Sequence, residues 1–253
     1  MHLTSYKTKL VEAGDSLDKI LSDSLPPLSE RSIVIIASKI IATCENRFVK
    51  KLTGSKEEKY RLVEQESEYF LPPSSSRFEL MLTVKGNWMF ANAGIDESNA
   101  DGQYILWPKD PQLSADLIWK FLREKYQLQN IGVIISDSRS LPFNWGVTGH
   151  GIAHCGFEVL QSYIGKPDLH GRIMKMEQLN VSQCITAAAA LEMGEGDEQT
   201  PLVVVTDLPE SVNFVDHEPT ATEIAALHIE LEDDIFAPLL TAVDWQKGGQ
   251  KKE

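Results

Sequence analysis

The chain is poor in cysteine and in cationic side chains, and it has neither a long apolar run nor a phosphate-loop signature. Each absence excludes a class of protein. Cys44, Cys155 and Cys184 are the only cysteines in 253 residues. An odd number without close spacing makes neither a disulfide framework nor a zinc site, and it suits a reducing compartment. The opening stretch Met1-His-Leu-Thr-Ser-Tyr-Lys7 lacks the apolar core of a secretory signal. No later run approaches the length of a bilayer span, so the expected location is the cytoplasm, with no membrane partner. Lysine and arginine number 24 against 37 aspartates and glutamates, a formal charge of −13. Such a surface repels nucleic acid and anionic lipid, and a nucleic-acid partner is not expected. The pattern Gly-x-x-x-x-Gly-Lys-Ser/Thr occurs nowhere, and Gly165-Lys166 lacks both the upstream glycine and the following hydroxyl. A nucleotide here would be held by metals and scattered backbone amides rather than by a P-loop.

What is present is an ordinary globular composition, 42% hydrophobic and 24% charged, in a chain long enough to bury a large core. The reading is one domain over residues 1–245, with room for two intertwined subdomains, and a flexible tail over 246–253. Leu17, Ile20 and Leu21 follow Gly14-Asp15-Ser16 at helical spacing, and Pro26-Pro27 ends that helix. Ser32–Ala37 reads as a buried strand that leads into the β-branched stretch Ile40–Thr43. Residues 54–70 are charged and helix-compatible. Residues 78–95 read as a hairpin turning at Lys85-Gly-Asn87, and Tyr104–Trp107 as a short strand. Ala115–Tyr126 and Val181–Met193 read as helices, and Ile131–Asp137 and Pro201–Val205 as buried strands.

Three acidic edges interrupt this pattern. Asn92-Ala-Gly-Ile-Asp96-Glu-Ser-Asn99 follows an apolar run. Ile131-Gly-Val-Ile-Ile-Ser-Asp137-Ser138 ends another, and Met193-Gly-Glu195-Gly-Asp-Glu198 joins a helix to a strand. Strand ends that empty into carboxylates and amides are where α/β-type chains hold metals and phosphates. Asp96 and Asp137 together make a reasonable cage for a hard divalent cation, although each alone is more simply a turn or helix cap. Two glycines around Glu195 free the backbone to wrap a ligand. His150 and His154 stand four apart, but the intervening glycine and the absence of an acidic partner favour core or surface histidines over a metal pair.

In their order these segments resemble the coenzyme F420-0:γ-glutamyl ligase family. The resemblance is carried by Asn92–Asn99, Leu106-Trp-Pro-Lys-Asp-Pro111 with Ser114-Ala115, Gly132–Ser138, Gly165-Lys-Pro-Asp-Leu-His-Gly-Arg172, and Met193–Glu198 before Pro201–Val205. Gly14-Asp15 and the strand through Ser38-Lys39 to Glu45 also fit, so that it runs over roughly residues 8 to 206. It implies an α+β fold of mixed sheets with flanking helices, in the family's own ligase architecture, and an intertwined homodimer. It implies a GTP-dependent ligase that joins L-glutamate through its α-amine to an acceptor carboxylate, with two divalent cations, Mg²⁺ or Mn²⁺. By position, Asp96 and Asp137 match ligands of the first metal and the catalytic pair, and Ser138 and Glu195 match ligands of the second. Thr8, Lys9, Leu10, Val11, Ser38, Lys39, Asn99, Met193, Gly194, Gly196, Asp197 and Glu198 match nucleotide contacts.

Two departures stand out. Thr43 occupies the place of a lysine in the family's Lys-Ala-Glu-Gly run, and the arginines after Asp137 fall out of register, with Asn144 where one is expected. They leave two acceptors, F420-0 and, for a divergent branch, a folate-like pterin, for which Trp107, Phe143 and Trp145 offer stacking surfaces, although core packing is the simpler role for any one of them. They also motivate an alternative, a non-catalytic protein binding a nucleotide or pterin on the same scaffold. A metal-dependent phosphohydrolase is a third, weaker reading.

Overall fold

The computed structural model describes residues 1–249. Its elements in chain order are β1 (His2–Tyr6), α1 (Leu17–Ser24), β2 (Ser32–Ala37), α2 (Ser38–Cys44), β3 (Phe48–Lys50), α3 (Lys56–Glu66), β4 (Tyr69–Phe70), β5 (Leu82–Lys85), β6 (Trp88–Ala91), β7 (Gln103–Ile105), α4 (Pro111–Tyr126), β8 (Ile131–Ser140), β9 (Val147–Cys155), β10 (Leu160–Ser162), β11 (Gln178–Asn180), α5 (Val181–Met193), β12 (Leu202–Thr206), α6 (Ala221–Ala225), α7 (Ala237–Leu240) and β13 (Gln246–Lys247). The class is α+β, as expected. Among the described residues no helix is long and apolar enough to cross a membrane.

The main sheet has the order β1-β12-β2-β8-β9. β2 and β8 pair in parallel at its centre, and the other pairs are antiparallel. Their Val/Ile-rich sequences are apolar at successive positions because both faces are covered. Val34, Ile36, Val133 and Ile135 pack with Ala115, Ile118, Trp119 and Leu122 of α4 on one face. Ile33, Ile35, Ile134 and Val203 pack with Val181, Ile185 and Ala189 of α5 on the other. Asp110 and Asn180 cap these two helices by accepting the backbone N–H groups of Leu113 and Gln183, as short polar side chains do at helix starts.

The long crossover from β2 to β8 carries a smaller module. β13-β4-β5-β6 form a second sheet and β3-β7 a two-stranded one. With α3 they enclose Val63, Phe70, Met81, Ala93, Ile95, Tyr104 and Leu106. The hairpin expected at Lys85-Gly-Asn87 is there, with Lys85 opposite Trp88.

Several expectations change. The strand expected to run through Ser38-Lys39 to Glu45 stops at Ala37, and Ser38–Cys44 is helix α2. Burial of Ile40, Ile41 and Ala42 overrides their β propensity, and the Thr43 hydroxyl bonds back to the Lys39 carbonyl at 2.8 Å. Asp137 does not end its strand, since β8 continues to Ser140. Asp96 lies beyond β6, after the turn Asn92–Gly94, in a bridge with Ile105. The glycine-rich stretch from 147 is strand β9, so His150 and His154 sit on a strand, both buried. Within the tail expected over 246–253, Gln246–Lys247 pairs with Tyr69–Phe70 as an edge strand; residues 250–253 lie outside the described residues.

Candidate functional site

The strand directions bring four chain segments to one edge of the main sheet. β2 and β8 run in parallel toward it, delivering Ser38, Lys39, Asp137 and Ser138. β1 also ends there, followed by Thr8–Val11. β12 begins there, preceded by the loop 193–200, with Leu202 between Tyr6 and Ile36 in register. The smaller module adds the loop 96–99. The result is a cleft of about 360 Å³. Every metal-ligand and nucleotide-contact candidate named from the sequence lines it: Thr8, Lys9, Leu10, Val11, Ser38, Lys39, Asp96, Asn99, Asp137, Ser138, Met193, Gly194, Glu195, Gly196, Asp197 and Glu198.

Asp96 is held on all sides. Its Oδ1 accepts the N–H groups of Glu97 and Ser98 at 2.6 and 2.8 Å. Its Oδ2 accepts the Ser98 hydroxyl at 2.8 Å and pairs with the Lys39 ammonium at 2.5 Å. Burial pushes this carboxyl up, but Lys39 and Ser98 together hold it below the usual carboxylate range. Lys39 also donates to the Ser98 hydroxyl at 2.9 Å.

Asp137 is treated differently. Its Oδ1 accepts the Ser138 N–H at 2.9 Å, and its Oδ2 accepts the indole N–H of Trp107. No cation pairs with it among the described residues. Burial pushes the Asp137 carboxyl up to about 6 against those two hydrogen bonds, and the charge of Asp96 acts in the same direction. From the sequence Trp107 reads as a core residue or a stacking surface, and its hydrogen bond to Asp137 has no signal there. It is 4% exposed and packs edge-on against Phe90 at 4.8 Å. Gly94 lets the indole in: its φ is +69°, and a Cβ there would meet Trp107 Nε1 at 2.0 Å. The Ala-Gly turn before Asp96 was the sequence signal for this close approach. On its other side Trp107 lines a second cavity, about 420 Å³, together with Lys85, Trp88, Lys109, Gln112 and Gln183.

The third edge closes the cleft. Ser138 donates its hydroxyl to Glu195 Oε1 at 2.7 Å, and Asn99 Nδ2 reaches the Gly196 carbonyl at 3.5 Å. Glu198 folds back to accept the Gly196 N–H at 2.8 Å; a side chain at Gly194 would strike its carboxylate at 2.3 Å. Thr8 donates its N–H to the Gln199 carbonyl at 3.1 Å, and Lys9 pairs with Asp15 at 2.6 Å. Gln199 and Thr200, the end of the loop 193–200 that the resemblance places among the nucleotide contacts, also line the cleft, as does Thr186, which no motif in the sequence marks.

Thr43 lines the cleft one helical turn after Lys39, so α2 still presents a cation there. Asn144 lies in the exposed turn after β8, donating to the Pro142 carbonyl at 3.0 Å, and does not line the cleft. Phe143 and Trp145 in that turn are fully exposed. His150 and His154 are neutral core residues, their imidazoles pushed by burial down to about 3 and about 4. All three cysteines are free.

The donors in the cleft are hard oxygens from carboxylates and a hydroxyl, the set that suits Mg²⁺ or Mn²⁺. Among the described residues no three His, Cys, Asp or Glu side chains group as a metal cage. The oxygens come as Asp137 near Asp96, and as Ser138 bonded to Glu195. Asp137 has two lone-pair positions unused by its hydrogen bonds. Magnesium is usually held by one or two carboxylates and completes its shell with substrate phosphates and water, and this arrangement fits it.

The family model of F420-0:gamma-glutamyl ligases matches residues 5–207. The coenzyme F420:L-glutamate ligase of Methanopyrus kandleri is 33% identical over 220 residues, covering 81% of this chain and 86% of that protein. The enzyme of the same description from Methanosarcina mazei is 31% identical over 80% of this chain and 84% of its own length. That of Archaeoglobus fulgidus is 31% identical over 79% and 84%.

Proposed function

This chain belongs to the F420-0:gamma-glutamyl ligase family, and from that premise we propose that it joins L-glutamate to an acceptor carboxylate at the expense of GTP. The observation that carries the proposal is the convergence of Asp96, Asp137, Ser138 and Glu195 with the proposed nucleotide contacts in one cleft. A carboxylate does not take an amine at neutral pH until one of its oxygens becomes a leaving group. Transfer of the γ-phosphoryl group of GTP to the acceptor carboxylate makes an acyl phosphate and releases GDP. The α-amine of glutamate then attacks the acyl carbon, loses a proton and expels inorganic phosphate, leaving an amide between acceptor and glutamate; the link is γ-glutamyl where the activated carboxyl is the γ-carboxyl of a glutamyl residue already on the acceptor.

Phosphoryl transfer asks for positioning and charge neutralisation more than for covalent help. Asp96 and Asp137 would hold one divalent cation, and Ser138 and Glu195 a second. When bound, such cations neutralise phosphate charge and polarise the transferred group. Lys39 stands ready to exchange its pairing with Asp96 for a phosphate oxygen. Trp107 fixes the Asp137 carboxylate and walls it off from the second cavity, whose aromatic and polar lining suits a ring-bearing acceptor, F420-0 or a folate-like pterin. The exposed apolar side chains Phe143, Trp145, Leu169 and Met176 on and after the turn following β8 support a homodimer, because monomer surfaces rarely carry such a run uncovered.

The test is phosphate release and product mass with GTP, L-glutamate, Mg²⁺ or Mn²⁺, and F420-0 or a folate as acceptor. A product heavier by one glutamyl residue, absent when any component is omitted, supports the ligase. Tight nucleotide binding with no product from either acceptor rejects it in favour of a binding protein, and phosphate release independent of glutamate favours a hydrolase.

A further inference from the structure

We propose that Arg139 and His150 form a carboxylate subsite that holds the incoming L-glutamate beside Asp137. The inference rests on the ligase reading and gives it a substrate contact outside the residues assigned so far. Arg139 is half-buried, and among the described residues its side chain makes no ion pair or hydrogen bond; its Nε is buried without a partner. In a chain with 37 acidic and 24 basic side chains, a guanidinium left unpaired while partly desolvated is costly. His150 is 7% exposed, and its Nε2 is likewise buried without a partner. Both groups rest against Phe90. The Arg139 guanidinium carbon is 5.9 Å from the ring centroid, and the imidazole centroid is 5.5 Å from it.

The ladder explains how they meet. Asp137 stands opposite His150 and Arg139 opposite Thr148, so Arg139 and His150 are diagonal neighbours on paired strands. Residues two apart on a strand share a face, about 7 Å from one another. Arg139 therefore stands on the face that presents Asp137, one short substrate length further along β8. A guanidinium fork reads a carboxylate through two parallel N–H bonds, and a neutral imidazole adds a third. A water molecule would satisfy the two nitrogens but leave the guanidinium charge uncompensated. Of the proposed substrates, L-glutamate brings two carboxylates besides its reacting amine. The one cation shown at Asp96, Lys39, is already engaged by that carboxylate.

The experiment is steady-state ligation by wild type, Arg139→Lys and Arg139→Gln, with L-glutamate, L-glutamine or 4-aminobutyrate as the amine donor. Losing a charge-assisted hydrogen-bonded contact should raise the KM for L-glutamate about tenfold or more in Arg139→Gln, with a smaller rise in Arg139→Lys. The KM for GTP should stay within about twofold. The preference for L-glutamate over one analogue should collapse, because the carboxylate that analogue lacks no longer finds its partner; a general structural defect would not move that ratio. An unchanged KM for L-glutamate, or a rise confined to GTP or the acceptor, overturns the subsite. If wild type shows no ligation, the ligase reading fails separately. Calorimetric titration of L-glutamate then decides the subsite: binding to wild type that Arg139→Gln weakens supports it, and equal or absent heats overturn it.

Discussion

Asp96 and Asp137 reach the same cleft from two regions that treat a carboxylate in opposite ways. Asp96 sits on a loop of the smaller module, where two amides, a hydroxyl and an ammonium fill its lone pairs. Asp137 sits inside a strand of the main sheet, where burial outweighs two hydrogen bonds and holds its carboxyl near 6. The loop folds two of its own N–H groups and a hydroxyl around Asp96, whereas the strand offers Asp137 the Ser138 N–H alone and leaves the rest to an indole from elsewhere in the chain. The sheet thus supplies rigid placement and leaves charge uncompensated; the loop supplies compensation. A metal or phosphate site needs both, a fixed ligand with spare capacity and a neighbour that tempers its charge.

The contrast is broken most sharply at Asp137. Asp137→Asn should lower glutamate-dependent phosphate release on the order of 10³-fold while circular dichroism stays native; near-normal turnover would remove Asp137 from the machinery. The same substitution should raise stability. A carboxyl titrating at about 6 in the fold and 3.8 when unfolded binds its proton more tightly folded than unfolded. Stability therefore falls as pH rises between those values, and above about pH 6 the whole cost, about 3 kcal/mol, is present. Urea melts in chelator at pH 8 should show Asp137→Asn more stable than wild type by up to that amount, with the gap closing below about pH 4.

Gly94→Ala tests the link between the two regions, since a methyl at φ +69° would press on the Trp107 indole. A loss of about 2 kcal/mol in the same melts, accompanied by reduced turnover, is expected; an unchanged melt would mean that the indole has room to move. Asp96→Asn should act opposite in sign to Asp137→Asn and more weakly. The depressed Asp96 carboxyl contributes stability above its unfolded pKa and loses it as pH falls through the folded value, and its pairing with Lys39 is partly exposed. About 1 kcal/mol or less is expected, visible as a shallower acid limb. The smallest effect belongs to Trp145→Ser. At 93% exposed it should leave the urea melt within about 0.5 kcal/mol of wild type, while light scattering reports a lower mass if this turn covers a second copy.

Much of the site was legible because its residues are punctuated by local chemistry. Acidic runs after apolar ones marked the loops 96–99 and 193–198, and both line the cleft. The helix at 181–193 and the body of the one expected over 115–126 followed from periodicity and composition; the latter begins a turn earlier, at Pro111, where Asp110 caps it. What the sequence did not reveal was set by neighbours distant in the chain. Ile40–Thr43 looks extended in isolation and becomes helical because α2 buries its isoleucines. Trp107 looks like a stacking ring and proves to be a hydrogen-bond donor to a residue thirty positions away. The motif comparison marked the arginines after Asp137 as out of register; the ladder leaves Arg139 unpaired beside His150.

By itself the sequence determined which side chains are capable of chemistry: hard oxygen donors without a P-loop, in a family-specific order, on a strongly acidic chain. Those are properties of residue type and local spacing. Only the tertiary structure decided how each donor is charged and what holds it. Whether an aspartate is tempered by a lysine or left to an indole depends on which strands lie side by side, and that is set by the burial of two long apolar strands between two helical layers rather than by anything adjacent to the aspartate.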